Sequence, residues 1–271
     1  MYRKVKHEGT GIEVYVREDH GDQDLTMLKD VFMDDIYGLQ RFLPQKIQRI
    51  LPIKTVLDCG GHIGSFGLLA NKCFPGIKLT AVEPNRDSAN LYQMNMEING
   101  VKNFKVIPVG LSYDKSKNTM IVGDDSTAIS MLVTEEEARK AVKEDYEGSW
   151  DLIKCFGKEC GRNRTYRIDT QGIKTITFEE LLQQENIKEV DILKMDCEGA
   201  ECDVFINCKA DALEVAKVIL CEYHYATSGV NLFLKCKDKF KNFVLSDIDF
   251  SPVKWYERVG YFVAIRKDVL I

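Results

Sequence analysis

Four carboxylates and one imidazole stand at or next to the ends of short apolar runs, where a sheet presents side chains to a ligand: Asp58, Glu83, Asp196, Glu222 and His224. Asp58 falls near the end of Thr55-Val56-Leu57-Asp58-Cys59. The turn Gly60-Gly61-His62-Ile63-Gly64 follows at once, and then the helix-patterned Phe66-Gly67-Leu68-Leu69-Ala70. Strand, glycine turn and helix N-terminus form a place where a ligand lies against bare backbone. A carboxylate there repels a pyrophosphate and attracts an ammonium. S-adenosylmethionine carries such an ammonium, so the loop is expected to bind it, with Asp58 on the ammonium and Gly60, Gly61, His62 and Gly64 lining the cofactor. Glu83 closes the next apolar run and can accept hydrogen bonds from two ribose hydroxyls. Pro84 ends that strand, and Asn85 beside it is assigned to the same binding set. The turn Pro108-Val109-Gly110-Leu111-Ser112 brings Gly110 and Leu111 towards an adenine ring. Because His62 stands where a G-x-G-x-x-G loop starting at Gly60 would carry its second glycine, the pattern speaks against a nicotinamide oxidoreductase.

The acceptor side is read from two later runs. Val190-Asp191-Ile192-Leu193-Lys194-Met195-Asp196 carries Asp196 to the carboxyl edge of a sheet, facing the methyl group and its acceptor. In Ile219-Leu220-Cys221-Glu222-Tyr223-His224, strand alternation places Glu222 and His224 on one face. His224 suits a general base for an acceptor hydroxyl, and Asp196 and Glu222 complete the catalytic set. A divalent cation shared by Asp196, Glu222 and His224 is the alternative, and not the favoured one. Carboxylates and a histidine at one sheet edge are common without a metal, so no metal ligands are assigned.

These residues need a scaffold that brings strand ends together. Apolar runs predict strands at 55–59, 78–83, 104–109, 190–196, 216–224, 243–247 and 261–266, with helices at 64–74, 86–99, 177–184, 199–206 and 229–240 between them. Their alternation implies an α/β fold: a mostly parallel sheet of seven strands, covered on both faces and closed by an antiparallel hairpin. Residues 1–52 fall outside that rhythm and are expected to form a substrate cap, containing an alternating run at 11–16 and an acidic helix at 25–33. The main domain is placed at 53–271, with an insertion at about 114–167. That insertion holds a hairpin at 119–131, a helix at 134–146 capped by Thr134 and Glu137, and a loop at 155–164.

Leu193-Lys194-Met195-Asp196-Cys197-Glu198-Gly199-Ala200-Glu201 resembles the K-x-D-x-E-G-x-E signature of the FkbM family of S-adenosylmethionine-dependent methyltransferases. Asp58-Cys59-Gly60-Gly61-His62-Ile63-Gly64 is similar to that family's D-x-G-A-N-x-G loop, with Gly61 and His62 in place of Ala and Asn. The resemblance covers roughly residues 53–225 and is absent from the first fifty. It implies a Rossmann-like fold and methylation of hydroxyls on small molecules or glycans.

Composition bounds the alternatives. The chain has 271 residues and a formal net charge of -5, which gives no global attraction for nucleic acid and lowers an RNA-directed reading. No apolar run approaches the roughly 18 residues of a membrane span, and the basic start lacks the apolar stretch of a signal peptide. A cytoplasmic protein is therefore expected, acting on neither membrane nor nucleic acid. The 9 cysteines contain no C-x2-C pair, so they read as reduced, scattered thiols. A protein-directed methyltransferase and a non-catalytic cofactor-binding scaffold stay open. The acceptor's identity and the oligomeric state carry no signal.

Overall fold

The computed structural model describes residues 1–18, 21–40, 51–123, 130–142, 166–169, 172–224, 232–247 and 259–270. Its centre is a seven-stranded sheet. Five parallel strands are β3 (Thr55–Cys59), β4 (Lys78–Val82), β5 (Phe104–Ile107), β11 (Val190–Met195) and β12 (Ala216–His224). The last two are β13 (Phe243–Ser246) and β14 (Val259–Arg266), with β14 antiparallel to both of its neighbours. The spatial order β13-β14-β12-β11-β3-β4-β5 reverses between β3 and β11. Open α/β sheets bind ligands at the carboxyl edge of such a switch point. The expected Rossmann-like sheet with its terminal antiparallel pair is present, and each strand ends within two residues of its expected limit.

Helices follow from strand-end punctuation. Gly64, at φ 92°, opens α2 (Ser65–Cys73). Asn85 caps α3 (Arg86–Ile98) by accepting from the Asp87 and Ser88 amides. A reciprocal Thr177–Glu180 capping box starts α5 (Phe178–Gln184), and Gly199, at φ 103°, precedes α6 (Ala200–Asn207). Every residue of β11 is buried, as a central parallel strand covered on both faces requires.

The N-terminal segment pairs β1 (Tyr2–Lys6) with β2 (Glu13–Arg17), then forms α1 (Gly21–Lys29) and a π-helical turn at Asp30–Asp34. Its Val14, Val16, Phe32, Tyr37 and Leu39 belong to the same apolar core as α2, α3 and one face of the sheet. In the insertion, β7 (Thr119–Gly123) lies between β8 (Ser130–Val133) and β9 (Tyr166–Asp169), all antiparallel. The helix after β8, α4 (Glu135–Val142), carries the expected reciprocal bonds between Thr134 and Glu137. A short parallel pair, β6 (Gly110–Leu111) with β10 (Thr175–Ile176), leads the chain back. The loop expected at 155–164, the end of the helix expected at 134–146, the start of the one expected at 229–240 and most of the link at 250–260 lie outside the described residues. Among the described residues no helix is long and apolar enough to cross a membrane.

Candidate active site

The loop after β3 is shaped first by its neighbours. A Cβ on Gly60 (φ +81°) would stand 1.6 Å from the Asp196 carbonyl oxygen, while side chains at Gly61 and Gly67 would collide with Tyr92 and one at Gly64 would crowd it. The Gly60 and Gly61 amides both donate to the Val82 carbonyl, at 2.9 and 3.1 Å. The His62 amide donates to Glu83 Oε2 at 2.8 Å, and the Gly64 amide to the Gly61 carbonyl at 2.9 Å. Gly60, Gly61, His62 and Glu83 line one cleft with Val109 and Leu111. Asp58, Gly64, Asn85 and Gly110 lie behind its wall rather than in it.

Asp58 is fully buried. Tyr92 donates its hydroxyl to Oδ2 at 3.0 Å, and the Lys194 ammonium stands 3.6 Å from Oδ1, an oxygen without a hydrogen-bond donor. Burial raises the Asp58 carboxyl above its usual range, against the pull of Lys194 and Tyr92. The β11–β3 register that pairs Lys194 with Asp58 makes this contact unavoidable. Lys194 also donates to the Gly60 carbonyl at 2.6 Å and lies 3.3 Å from Asp196 Oδ2. Glu83 accepts a second amide, from Asn85, at 2.8 Å. Burial lifts its carboxyl to about 7 despite those two bonds. Burial and Arg17 hold the His62 ring neutral, with its pKa well below the ordinary value.

At the acceptor end, Asp196 gathers groups from three parts of the chain. Tyr37 of the N-terminal segment donates its hydroxyl to Oδ2 at 2.6 Å. His224 Nδ1 lies 4.0 Å from Oδ1. Burial opposes ionisation of Asp196, but Lys194 and His224 outweigh it and keep the carboxyl below its usual range. His224 is fixed by Glu201, which accepts from its backbone amide at 2.5 Å and faces Nδ1 at 3.1 Å. Its Nε2 is 3.6 Å from Glu222 Oε1 and 3.9 Å from Glu198 Oε2. The expected shared face of Glu222 and His224 is present.

Four residues here carried no sequence assignment as site residues. Lys194 had a readable signal, a lysine among the apolar Ile192, Leu193 and Met195 of a central strand. Glu198 and Glu201 read as helix-start carboxylates, whereas Glu198 lines the cleft at φ 51° and Glu201 is wholly buried. Tyr37 had no signal, because nothing local marks a tyrosine whose partner lies 159 residues away. Met27, Val31 and Tyr37 from the N-terminal segment and Leu132 from the insertion complete the wall of the cleft, which encloses about 780 Å³ with its open mouth included.

A family model described as a methyltransferase FkbM domain matches residues 58–246, more than half the chain. The chain is 24% identical over 176 residues to Methyltransferase 1 of Beauveria bassiana, covering 65% of this chain. It spans 64% of that protein's length. It is 22% identical over 250 residues to the methyltransferase sdnD of Sordaria araneosa, covering 89% of each. Among solved structures it overlays on a putative methyltransferase yhhF from Escherichia coli with a TM-score of 0.46 and 12% identity, over 98% of this chain and 99% of that one.

Proposed function

The chain belongs to the FkbM family of methyltransferases, which use S-adenosylmethionine, and on that premise we propose that it methylates a hydroxyl oxygen of a small molecule or glycan. The observation that carries this reading is Asp196, which lines the same cleft as Gly60, His62 and Glu83 and has His224, itself beside Glu222, within 4.0 Å. A hydroxyl must lose its proton as its oxygen is alkylated, and a carboxylate of this cluster can take it; burial disfavours a charged His224 ring, but Glu198, Glu201 and Glu222 outweigh it and push its pKa well above the ordinary value.

The residues fit the cofactor. Glu83 has both oxygens fixed by amides yet keeps lone pairs towards the cleft, as ribose hydroxyls require. The buried Asp58 Oδ1 has no hydrogen-bond donor, and behind the loop its charge is offset by the Lys194 ammonium 3.6 Å away. Gly60, Gly61, His62, Asn85, Gly110 and Leu111 complete the set proposed to bind it, some through the wall they build rather than by contact. When bound, S-adenosylmethionine supplies an electrophilic methyl group on a sulfonium sulfur. The chain's own task is to hold the acceptor oxygen in line with that group, which is worth more than the proton transfer. Asp196, kept ionised by Lys194, orients the hydroxyl. The apolar wall of Met27, Val31, Phe66 and Leu132 excludes water. Residues 1–52 and the insertion at about 114–167 are proposed as acceptor caps, on the support that Tyr37 and Leu132 reach the cleft from them.

The test is transfer of labelled methyl to a panel of hydroxylated acceptors, with cofactor binding followed by calorimetry. Asp196→Asn is expected to cut turnover by about 10²-fold or more while cofactor affinity holds within about threefold. Transfer to nitrogen alone, or full activity in the variant, would refute the hydroxyl reading. Cofactor binding with no transfer to any acceptor would favour a binding protein.

A further inference from the structure

The geometry points to a divalent-cation site formed by Asp196, Glu198 and His224, of the Mg²⁺/Mn²⁺ class, at the acceptor end of the cleft. This assignment rests on the hydroxyl reading for its purpose, but not for its existence. One ligand atom from each of the three residues lies within 4.8 Å of the other two. Octahedral bonds of about 2.1 Å separate ligand pairs by roughly 3.0 to 4.2 Å, so a shift of about an ångström closes the set. Glu222 is not in that triad, although the sequence pattern grouped it with Asp196 and His224. Glu198 takes its place because the chain at φ 51° turns it towards Nε2.

What separates this cluster from a mere collection of acids is the support behind each ligand. His224 Nδ1 is engaged by Glu201, a carboxylate with no solvent exposure, so Nε2 is the nitrogen turned towards Glu198 and Glu222. Asp196 Oδ2 is engaged by Tyr37 and Lys194, which leaves Oδ1 on the His224 side. Metal-ligating histidines and carboxylates are oriented in this way, one atom held by a second partner and the other presented. The three ligands come from the end of β11, the loop after it and the end of β12, adjacent strands at the ligand-binding edge. Asp196 and Glu198 both line the cleft, so an ion there would be open to an acceptor.

Two carboxylates with one imidazole form a mostly hard donor set, suited to Mg²⁺ or Mn²⁺ when water or acceptor oxygens fill the remaining positions. An acceptor hydroxyl bound through such an ion loses its proton more readily. Glu222, 3.6 Å from Nε2, is placed to receive it: the O–H bond breaks and a carboxyl O–H forms.

The experiment titrates the full-length, metal-stripped protein with Mn²⁺ alone and follows the six-line electron paramagnetic resonance signal of the free ion. Binding of one Mn²⁺ per chain with a Kd below about 100 μM is expected, weakened at least tenfold by Glu198→Gln and by His224→Gln, while Glu97→Gln on the exposed side of α3 leaves it unchanged. The wild-type complex should also show electron spin echo modulation from an imidazole nitrogen, which needs no variant to fold. Absence of saturable binding, affinity unmoved by both substitutions, or a bound ion without nitrogen modulation would each overturn the assignment. Methyl transfer that survives chelator would overturn the ion's part in proton loss while leaving the hydroxyl reading intact. Mn²⁺ bound as expected, with no hydroxyl methylated, would instead count against that reading alone.

Discussion

Glu83 holds a carboxyl in a place that disfavours its charge, and the ribose contact proposed for it needs that charge. Burial raises its pKa to about 7, against an ordinary value of 4.5. Between those values the folded protein keeps a proton that the unfolded chain has lost. Its contribution to stability is therefore complete below about pH 4.5, falls as pH rises, and is spent above about 7. Cofactor affinity should move the opposite way, since hydrogen bonds to an ionised acceptor are about twice as strong as neutral ones. Calorimetric titration from pH 6 to 8 should show affinity rising and then levelling, and Glu83→Gln should abolish the slope and weaken binding by roughly 10- to 100-fold. A flat profile in the native protein would remove Glu83 from the ribose site. Glu83 was read from its pairing with Asp58 at the end of the preceding strand, since an acid before a proline by itself is only a solvated strand end. Asp58 was read as a strand-end acid facing the cofactor's ammonium; its full burial and its partner Tyr92 were not legible. The glycines that seemed to expose bare backbone to a ligand also make room for that ring. Loop chemistry can be read from a sequence; the side chain filling the space behind it comes from another helix.

At the scale of elements, α3 presents Ser88, Tyr92, Asn95 and Asn99 along one face at helical spacing. A polar stripe of this kind reads as solvent-facing, yet three of the four are buried. Asn95 accepts from the Tyr15 amide at 2.6 Å and donates to the carbonyls of Tyr15 and Ile63, at 3.2 and 2.8 Å. Asn99 repeats the pattern on Glu13, at 3.1 and 2.6 Å. The two amides act as a neighbouring strand for β2 and tie the N-terminal hairpin to the helix behind the glycine loop. Asn95→Ala would leave one amide and two carbonyls without these partners, each costing about 1–3 kcal/mol. Faster hydrogen exchange at the Tyr15 amide and a lower melting temperature are expected; protection at Tyr15 equal to the native protein's would show that β2 is held by packing alone. Central strands were legible to within two residues because parallel strands buried on both faces are plain apolar runs. Strand β1 was not, since its residues are largely exposed and gain a partner only once β2 has docked.

At the scale of the whole molecule, the N-terminal segment is joined to the methyltransferase core by more than proximity. Arg17 forms a 2.9 Å ion pair with Asp24, and both side chains are almost completely buried. The same guanidinium donates to Ser88 at 2.6 Å and approaches His62 at 3.4 Å, so one side chain connects β2, α1, α3 and the cofactor loop. Together with the shared apolar core and the Tyr37–Asp196 bond, this makes an N-terminal segment that cannot leave without disturbing the cleft it helps to line. The exposed Lys4–Glu13 pair on the same hairpin is a built-in contrast, because a solvated ion pair contributes at most about 1 kcal/mol. Removing one member of a buried pair costs about 3–5 kcal/mol, since the remaining charge is left in the protein interior. For a chain of this size each kcal/mol shifts the melting temperature by roughly 2 °C. Arg17→Leu should thus lower it by about 6–10 °C, and Lys4→Ala by less than about 2 °C. In calorimetry both should keep a single transition, and Arg17→Leu should lose cofactor affinity along with stability, because the loop bearing His62 loses a brace. Two separated transitions, or a destabilised Arg17→Leu that binds cofactor as tightly as the native protein, would mean that cap and core fold apart and that the extension merely rests on the site.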